Sequence, residues 1–472
     1  MPAQPGRPPS RTSAAVFDSS TENPHQGAGY GRVATPPGGV LDRRPMPPGP
    51  AAQQRAQTAP DSAVVYDLLS DGESAFQRIL QRIEAARRSI LIRSFSWRDD
   101  ETGQAVGEAL LRAAERGVKV VIFKDRVGMH YEYFECDKQS FFHKHITPRV
   151  RLQTWFLMAV YRQWGSLRQR PSSLAEALCA HANVTVHRDE KRFDHSKLYV
   201  FDEETVILGG MGIGNDSRRD NVDFMVEIAG ADAARRLADR HDGRAPFDPA
   251  RSFDYLVHSF TAAGGEDDSL GEQRLRLIDG ARERLTIEMA YLGDRACARA
   301  LVNAVKRGVE VSLLTSSRAN ILGDLNLRTC NEILQRTNNA PNLRVFLHPR
   351  MVHGKAMVVD GERVDLGSAN FTPLSHGGYE EVNLYACDRA LARAVEAAIE
   401  RDMKDGRRVQ SPVPHHRLNA MIEHVIASYQ AGPIIAGNIT DNVKYEAGYL
   451  FGLATTTPDE RLKLILTYGY KF

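Results

Sequence analysis

A spaced motif that occurs twice constrains this chain more than any other feature of its sequence. The first copy reads His195-Ser-Lys197-Leu-Tyr-Val-Phe-Asp202 and reaches Gly209-Gly210 after six further residues. The second copy reads His353-Gly-Lys355-Ala-Met-Val-Val-Asp360 and reaches Gly367-Ser368-Ala-Asn370 after the same spacing. Because the same positions recur at identical spacing, chance is a poor explanation. The chain is therefore predicted to contain two similar halves.

Each copy of the motif predicts a β-hairpin. The residues that follow each lysine are β-rich, and side chains alternate between the two faces of a strand, so the histidine and lysine of each copy share one face. Asp202 and Asp360 fall where the strand should turn, and Asp360-Gly is a hairpin signal. In the second copy the returning strand brings Ser368 and Asn370 back beside the histidine and lysine, where we expect them to contact a substrate.

The sequence before each motif is also repeated, and its pattern predicts an α/β fold. Helical stretches at 105–116 and 296–307 both end in Arg-Gly, a helix C-cap signal, and β-rich runs follow at 117–123 and 308–314. Strand, helix and strand at this spacing are typical of a mostly parallel sheet. We predict two similar α/β sandwich halves with the active site at their interface.

Four segments follow from these patterns. Residues 1–63 hold 12 of the 23 prolines and are predicted to be disordered, since they cannot bury enough apolar surface to offset their ordering entropy. Residues 64–245 form the predicted first half, with an inserted segment at about 128–170. Residues 246–410 form the second half. Residues 411–472 are a C-terminal extension to which the sequence assigns no role.

Composition excludes several classes of protein. A formal net charge of +2 argues against a strongly basic nucleic-acid binder. The five cysteines are scattered, without a CxxC pair, so no zinc framework is indicated, and we expect neither a metal nor a cofactor. The sequence shows no apolar run of about 18 residues and no signal-peptide pattern. We therefore expect a cytoplasmic protein that is soluble or bound at a membrane surface.

The duplicated residues match the requirements for displacement at a phosphodiester without a metal. One neutral histidine can attack phosphorus, while a second, protonated histidine gives a proton to the leaving oxygen. Lysines and an amide can stabilise the charge on the non-bridging oxygens. Each histidine also needs an acidic partner, and Asp223 and Glu381 follow the two motifs downstream. The candidate catalytic residues are His195, Lys197, Asp202, His353, Lys355 and Asp360, although each Asp is expected to act as a turn residue or as support.

The inserted segment carries an aromatic and basic helix, Trp155-Phe-Leu-Met-Ala-Val-Tyr-Arg-Gln-Trp164. The arginines in or near it are Arg149, Arg151, Arg162, Arg168 and Arg170. This composition suits an anionic membrane interface or a cap over the substrate. The alternative is a core-packing helix with a solvated basic edge.

The duplicated H-x-K-x4-D-x6-G-[GS] pattern resembles the phospholipase D superfamily, and within it the bacterial cardiolipin synthase-like phosphatidyltransferases. The resemblance covers about Val64 to Asp388 and includes Gly209-Gly-Met-Gly-Ile-Gly and Glu288-Met-Ala-Tyr-Leu292. It implies phosphatidyl transfer or hydrolysis on phospholipids through a phosphohistidine, at the inner membrane surface. It also implies that His195 is the nucleophile and His353 the general acid.

One departure from the family pattern bears on activity. Where the second copy has Asn370, the first has Gly212, and Asn215 follows three residues later. A phosphate-contacting amide is therefore missing from the first copy. Two other functions stay open: a nuclease or other phosphodiesterase of the same fold, which the near-neutral charge disfavours, and a non-catalytic binding protein. The sequence leaves the headgroup, the acceptor alcohol and the oligomeric state open.

Overall fold

The structure, a computed structural model, describes residues 64–125, 127–133, 139–142, 148–164, 172–188, 193–260, 266–267 and 269–429. The Pro-rich segment 1–63 and the end of the C-terminal extension, 430–472, lie outside the described residues. The prediction of disorder for residues 1–63 therefore stays a prediction.

The first motif lies in a unit of seven strands and six helices within the described ranges. Its elements in chain order are β1 (Val65–Leu69), α1 (Gly72–Ala85), β2 (Ser89–Ser94), α2 (Glu101–Glu115), β3 (Lys119–Lys124), α3 (Gly128–Glu132), α4 (Pro148–Tyr161), α5 (Ser173–Ala180), β4 (Val184–His187), β5 (Lys197–Phe201), β6 (Thr205–Gly209), a π-helical turn (Asp216–Asp220), β7 (Met225–Ala229) and α6 (Ala231–His241).

The second motif lies in a unit that repeats this plan. Its elements are β8 (Phe253–Phe260), β9 (Glu266–Asp267), α7 (Ser269–Asp279), β10 (Arg284–Met289), α8 (Arg295–Lys306), β11 (Glu310–Ser316), α9 (Gly323–Arg336), β12 (Leu343–His348), β13 (Lys355–Val359), β14 (Arg363–Gly367), α10 (Pro373–Gly377), β15 (Glu381–Cys387), α11 (Arg389–Asp405), β16 (Arg407–Val409) and α12 (Arg417–Tyr429).

The two sheets share one central pattern. The first has the order β1-β7-β6-β5-β2-β3-β4 and the second the order β16-β12-β11-β10-β13-β14-β15-β8-β9. In each, the motif strand pairs antiparallel with the strand that opens the α/β repeat: Ser94 faces Lys197, and Met289 faces Lys355. The next strands run parallel, β2 with β3 and β10 with β11. The predicted α/β fold with two similar halves is confirmed.

The two sheets pack against each other through a shared apolar core. Leu198, Val206 and Leu208 of the first sheet belong to the same cluster as Ala356 and Val358 of the second. Two further cores lie on the outer sides, one beneath α1, α2 and α5, the other beneath α7, α8 and α9. Motif strand β13 is buried along its whole length because it is covered on both faces.

Local signals read from the sequence are found at the helix ends. Helix α2 is followed by Gly117 with φ +93°, and α8 by Gly308 with φ +94°. A positive φ suits glycine, which lacks the Cβ that would strain this conformation. Asp100 and Asp294 cap the starts of α2 and α8 with hydrogen bonds to backbone amides. The Arg-Gly signal therefore marked both helix ends correctly.

Candidate active site

The two motif histidines line one pocket, and the backbone of each is held by the other half. His195 donates its backbone N–H to the carbonyl of Glu380 (2.9 Å), and His353 donates to the carbonyl of Val222 (2.7 Å). The corresponding bridges pair Asp194 with Glu380 and Val222 with Val352. Both histidines border the same pocket. The docking of the two halves therefore assembles the site.

The carboxylates that follow the motifs support the histidines of the opposite halves. Nδ1 of His195 lies 2.9 Å from Oε1 of Glu381, and Nδ1 of His353 lies 2.8 Å from Oδ2 of Asp223. The sequence placed each acid downstream of its own motif, but the partners are exchanged between halves. The exchange arises because Asp223, just before β7, and Glu381, the first residue of β15, lie at the interface, where each faces the other half's histidine.

The surroundings of His195 favour its neutral form. The residue is 8% exposed, and burial lowers its pKa to about 4, a shift that Glu381 opposes and Lys197 assists. Burial alone would raise the pKa of Glu381, but His195 and Lys197 lower it to about 2. The pair is thus an anionic carboxylate and a neutral imidazole.

Two aromatic rings fix the orientation of the His195 imidazole. Tyr379 stacks on it with ring centroids 5.3 Å apart and an interplanar angle of 14°. Phe95 meets it edge-on with centroids 4.7 Å apart. Since Glu381 holds Nδ1, Nε2 is the ring nitrogen left for a substrate. No periodicity in the sequence pointed to these two aromatic residues.

Both motif lysines are buried close to the histidines. The ammonium groups of Lys197 and Lys355 donate to the backbone carbonyls of His195 and His353, and Nζ of Lys355 lies 3.1 Å from Nδ1 of His353. Burial lowers the pKa of Lys197 to about 7 and that of Lys355 to about 8, despite the nearby carboxylates. Burial also lowers the pKa of His353, with the charge of Lys355 adding to the effect.

The two motif aspartates do not belong with the catalytic candidates, which corrects part of the sequence-based set. Asp202 and Asp360 lie at the turn ends of β5 and β13 with φ of +53° and +54°. The carboxylate of Asp202 accepts the backbone amides of residues 87–89, and that of Asp360 accepts those of residues 282–284. These groups secure the hairpin to the neighbouring strand, away from the pocket, as the turn interpretation expected.

Ser368 acts on Glu381, whereas the sequence suggested a substrate contact. Its hydroxyl donates to Oε2 of Glu381 at 2.5 Å. Ser375, which the sequence did not single out, donates to Oε1 at 2.6 Å and accepts the backbone N–H of Asn370. In the first half Gly210 takes the place of Ser368, and a Cβ there would lie 2.4 Å from Oδ1 of Asp223. The glycine therefore leaves room for that carboxylate.

Asn370 is among the residues that line the pocket, and the substrate contact expected of it stays a prediction. Its Oδ1 is buried and has no hydrogen-bond partner among the described residues. Asn215 of the first half has a different role, because its Oδ1 accepts both the amide (3.1 Å) and the hydroxyl (2.7 Å) of Thr102. Asn215 therefore does not replace the amide that is missing at Gly212.

Two helices that lie outside the duplicated core form an apolar wall of the pocket. Tyr161 at the end of α4 lines it, together with Ile426 and Ala427 of α12, and Ile321 and Leu322 complete this side. Helix α12 belongs to the C-terminal extension, to which no role could be assigned from the sequence. The wall therefore joins the inserted segment to the end of the described chain.

Helix α4 has an exposed apolar side as well as a buried one. Leu157 and Met158 are buried, while the exposed fractions of Trp155 and Phe156 are 53% and 52%, and that of Trp164, three residues beyond the helix, is 57%. The helix therefore packs inward on one side and presents aromatic rings to solvent on the other, and the membrane interface stays a prediction. Arg168 and Arg170 lie outside the described residues. Among the described residues, no helix is long and apolar enough to span a bilayer.

One group of described residues has donor atoms close enough for a metal ion: Asp294, Cys297 and His376, within 4.8 Å of one another. The carboxylate of Asp294 already accepts the amides of Ala296 and Cys297 and lies 2.9 Å from Nδ1 of His376. The guanidinium of Arg274 is 3.4 Å from Nε2 of His376. A metal ion bound by this group would be repelled by the buried guanidinium. We therefore interpret the three residues as part of the cap at the start of α8.

Comparisons with known proteins agree with this architecture. The family model described as "Cardiolipin synthase, PLD-like domain" matches residues 79–243 and 275–403. Cardiolipin synthase A of Pseudomonas entomophila is 28% identical over 369 residues, 72% of this chain and 69% of the relative. Its counterpart from Pseudomonas aeruginosa is 26% identical over 359 residues, covering 72% and 66%. The crystal structure of phosphatidylserine synthase from Haemophilus influenzae superposes with a TM-score of 0.55 at 17% identity, over 75% of this chain and 89% of that one.

Proposed function

The chain belongs to the phospholipase D-like family, and from that premise we propose that it transfers a phosphatidyl group from a phospholipid to an alcohol. Hydrolysis results when water replaces the alcohol. The relatives named cardiolipin synthase A and the structural neighbour named phosphatidylserine synthase support this class of substrate. The single observation that carries the proposal is the pocket itself, with two histidines held by carboxylates beneath an apolar wall.

The first step is attack by Nε2 of His195 on phosphorus. This nitrogen is unprotonated because Nδ1 donates to Glu381 and the depressed pKa of His195 keeps the ring neutral. A phosphorus–nitrogen bond forms as the bond from phosphorus to the headgroup oxygen breaks. His353, paired with Asp223, gives its proton to that leaving oxygen. The product of this step is a phosphatidyl-histidine.

In the second step His353 changes from a proton donor to a proton acceptor. The acceptor alcohol attacks phosphorus, His353 takes its proton, and the phosphorus–nitrogen bond to His195 breaks. Lys197, Lys355 and Asn370 hold the non-bridging oxygens in both steps. The anionic phosphodiester also favours the charged forms of the lysines and of His353, and so offsets the lowering of their pKa values by burial.

The apolar wall favours a lipid over a nucleic acid. Tyr161, Ile426 and Leu322 offer no positive charge to a polynucleotide backbone, whereas they suit the apolar part of a phospholipid. Helix α4 carries this wall on one side and Trp155 and Phe156 on its exposed side. We place that exposed side in the headgroup layer of an anionic membrane, at the inner surface.

Product analysis tests the proposal. Purified protein is incubated with vesicles of phosphatidylglycerol or phosphatidylethanolamine and, separately, with single-stranded DNA, each with and without EDTA. We expect turnover of a phospholipid with EDTA present, and its loss in His195→Ala and His353→Ala. Cleavage of DNA alone would replace the lipid function with the nuclease alternative. Rapid quench with labelled lipid should trap an acid-labile, base-stable adduct on the peptide that contains His195.

A further inference from the structure

The missing amide at Gly212 marks a structural difference between the two halves. Gly212 and Asn370 are equivalent positions, since the residues after them form matching bridges: Ile213 with Trp97, and Phe371 with Leu292. The residue before Trp97 is Ser96, and its counterpart before Leu292 is Tyr291. The two halves therefore differ at a pair of facing positions. One half has Ser96 and Gly212, and the other has Tyr291 and Asn370.

The hydroxyl of Ser96 occupies the space in which a side chain at position 212 would begin. A Cβ built on Gly212 would lie 2.1 Å from Oγ of Ser96, but 3.5 Å from its Cβ. The conflict is thus with the hydroxyl alone, apart from a close approach of 3.3 Å to the Ser96 carbonyl. The backbone at Gly212 has no positive φ, unlike Gly117, so a larger residue is excluded here by space.

The Ser96 hydroxyl is free to bind a substrate. Ser96 lines the pocket together with His195 and Lys197, and its Oγ hydrogen-bonds to none of the residues that the structure describes. Its counterpart is already engaged, because the hydroxyl of Tyr291 donates to Oδ1 of Asn320 at 2.5 Å. Within these two facing pairs, the pocket-lining atoms without a hydrogen-bond partner among the described residues are thus Oδ1 of Asn370 in one half and Oγ of Ser96 in the other.

We propose that the first half has a phosphoryl-oxygen subsite in which the Ser96 hydroxyl donates the hydrogen bond that an asparagine at position 212 would otherwise supply. This inference rests on the proposed function for the identity of the phosphodiester, but the subsite itself is a site for a tetrahedral oxyanion. A hydroxyl donor in a site from which water is excluded stabilises the charge that develops in the transition state. Removing one such donor lowers kcat by about 10²–10³ in well-formed oxyanion sites.

Four variants test the subsite, through turnover and through the affinity for orthovanadate measured by calorimetry. Ser96→Ala should lose about 10²- to 10³-fold in kcat and bind vanadate more weakly, whereas Ser96→Thr keeps the hydroxyl and should retain both. Gly212→Asn should be impaired, since its side chain meets the Ser96 hydroxyl. The double variant Ser96→Ala/Gly212→Asn lacks the hydroxyl that obstructs the asparagine. It should therefore have a higher kcat and a higher affinity for vanadate than either single variant.

The outcomes separate this inference from the proposed function. Vanadate binding does not depend on the substrate, so it reports on the subsite even if no phospholipid is turned over. Ser96→Ala with wild-type kcat and wild-type vanadate affinity would overturn the inference. The inference would also be overturned if Gly212→Asn changed kcat and vanadate affinity by the same factor in the wild-type protein and in Ser96→Ala. Thermal unfolding of each variant identifies any loss that comes from misfolding.

Discussion

Glu381 of the second half holds His195 of the first, with 2.9 Å between Oε1 and Nδ1. The reciprocal pair, Asp223 and His353, is separated by 2.8 Å. Neither half therefore contains a complete histidine–carboxylate pair. The two hairpins acquire their chemistry when the sheets dock, and the shared apolar core supplies the driving force for that docking.

The crossed pairs predict that the two carboxylates affect different steps. Glu381→Gln should lower kcat by about 10²–10⁴ because the carboxylate no longer orients the nucleophile His195 or stabilises its charged forms. Asp223→Asn should have a similar effect with natural lipid, but a small one with a p-nitrophenyl phosphodiester, whose leaving group needs no proton from His353. Comparison of kcat for the two substrates in both variants measures this. Equal losses with both substrates in Asp223→Asn would contradict the assignment of His353 as the acid.

The buried lysines predict a fall in activity at alkaline pH. The kcat/KM profile is measured with a p-nitrophenyl phosphodiester, because its leaving group needs no proton from His353, whose own pKa is lowered by burial. His195 must be neutral, and because its pKa is about 4 the acidic limb of this profile should lie near that pH. Lys197 and Lys355 must be charged, and their pKa values of about 7 and 8 imply that activity declines as the pH rises through this range. Lys197→Arg keeps the charge of the lysine that titrates first, so the alkaline limb of this variant should move upward, towards the pKa of Lys355. Lys119→Arg, at a surface position, should leave the profile unchanged.

The turn aspartates predict a loss of stability without a loss of chemistry. Asp202→Ala leaves three backbone N–H groups without their acceptor, which should cost about 1–3 kcal/mol of the free energy of unfolding. Burial raises the pKa of Asp202, but hydrogen bonds from the amides of residues 87–89 outweigh it and lower the pKa overall. The ionised carboxylate therefore stabilises the fold at every pH above its ordinary pKa. This contribution to the free energy of unfolding is lost as the pH falls through the lowered pKa of the folded state. Denaturant unfolding should show the loss, with kcat within a few-fold of wild type. A collapse of kcat in the folded variant would return Asp202 to the catalytic set.

The exposed side of α4 predicts binding to anionic vesicles. Trp155→Ala/Trp164→Ala should bind phosphatidylglycerol vesicles more weakly in co-sedimentation, because both rings are more than half exposed. Arg151 and Arg162 are also exposed, and each arginine at the surface contributes about 1 kcal/mol, so added salt should weaken binding. Val65→Ala removes an exposed apolar side chain from β1 and serves as the control. Wild-type binding by the folded double variant would rule out this docking surface.

The local features of the fold could be read from the sequence because their causes lie within a few residues. Runs of β-forming residues predicted β5 and β13, Arg-Gly marked the ends of α2 and α8, and Asp360-Gly marked a turn. The duplication predicted the two halves and brought both histidines and both lysines to one site. The sequence alone did not predict the part played by α12, since nothing local indicates where an isolated amphipathic segment will pack.

The pairing of groups within the site was decided by tertiary structure. Which histidine Glu381 supports depends on how two sheets meet, and that geometry follows from apolar side chains spread over many strands and two helices. Contacts within a half are set by the path of its chain: Ser375 lies against Glu381, six residues later, and the segment after β2 sets Ser96 against Gly212. The sequence thus determined which chemical groups the protein carries and the local elements that hold them. The packing of one half on the other decided which groups meet, because hydrogen bonds and steric exclusion act between neighbours in space, not between neighbours along the chain.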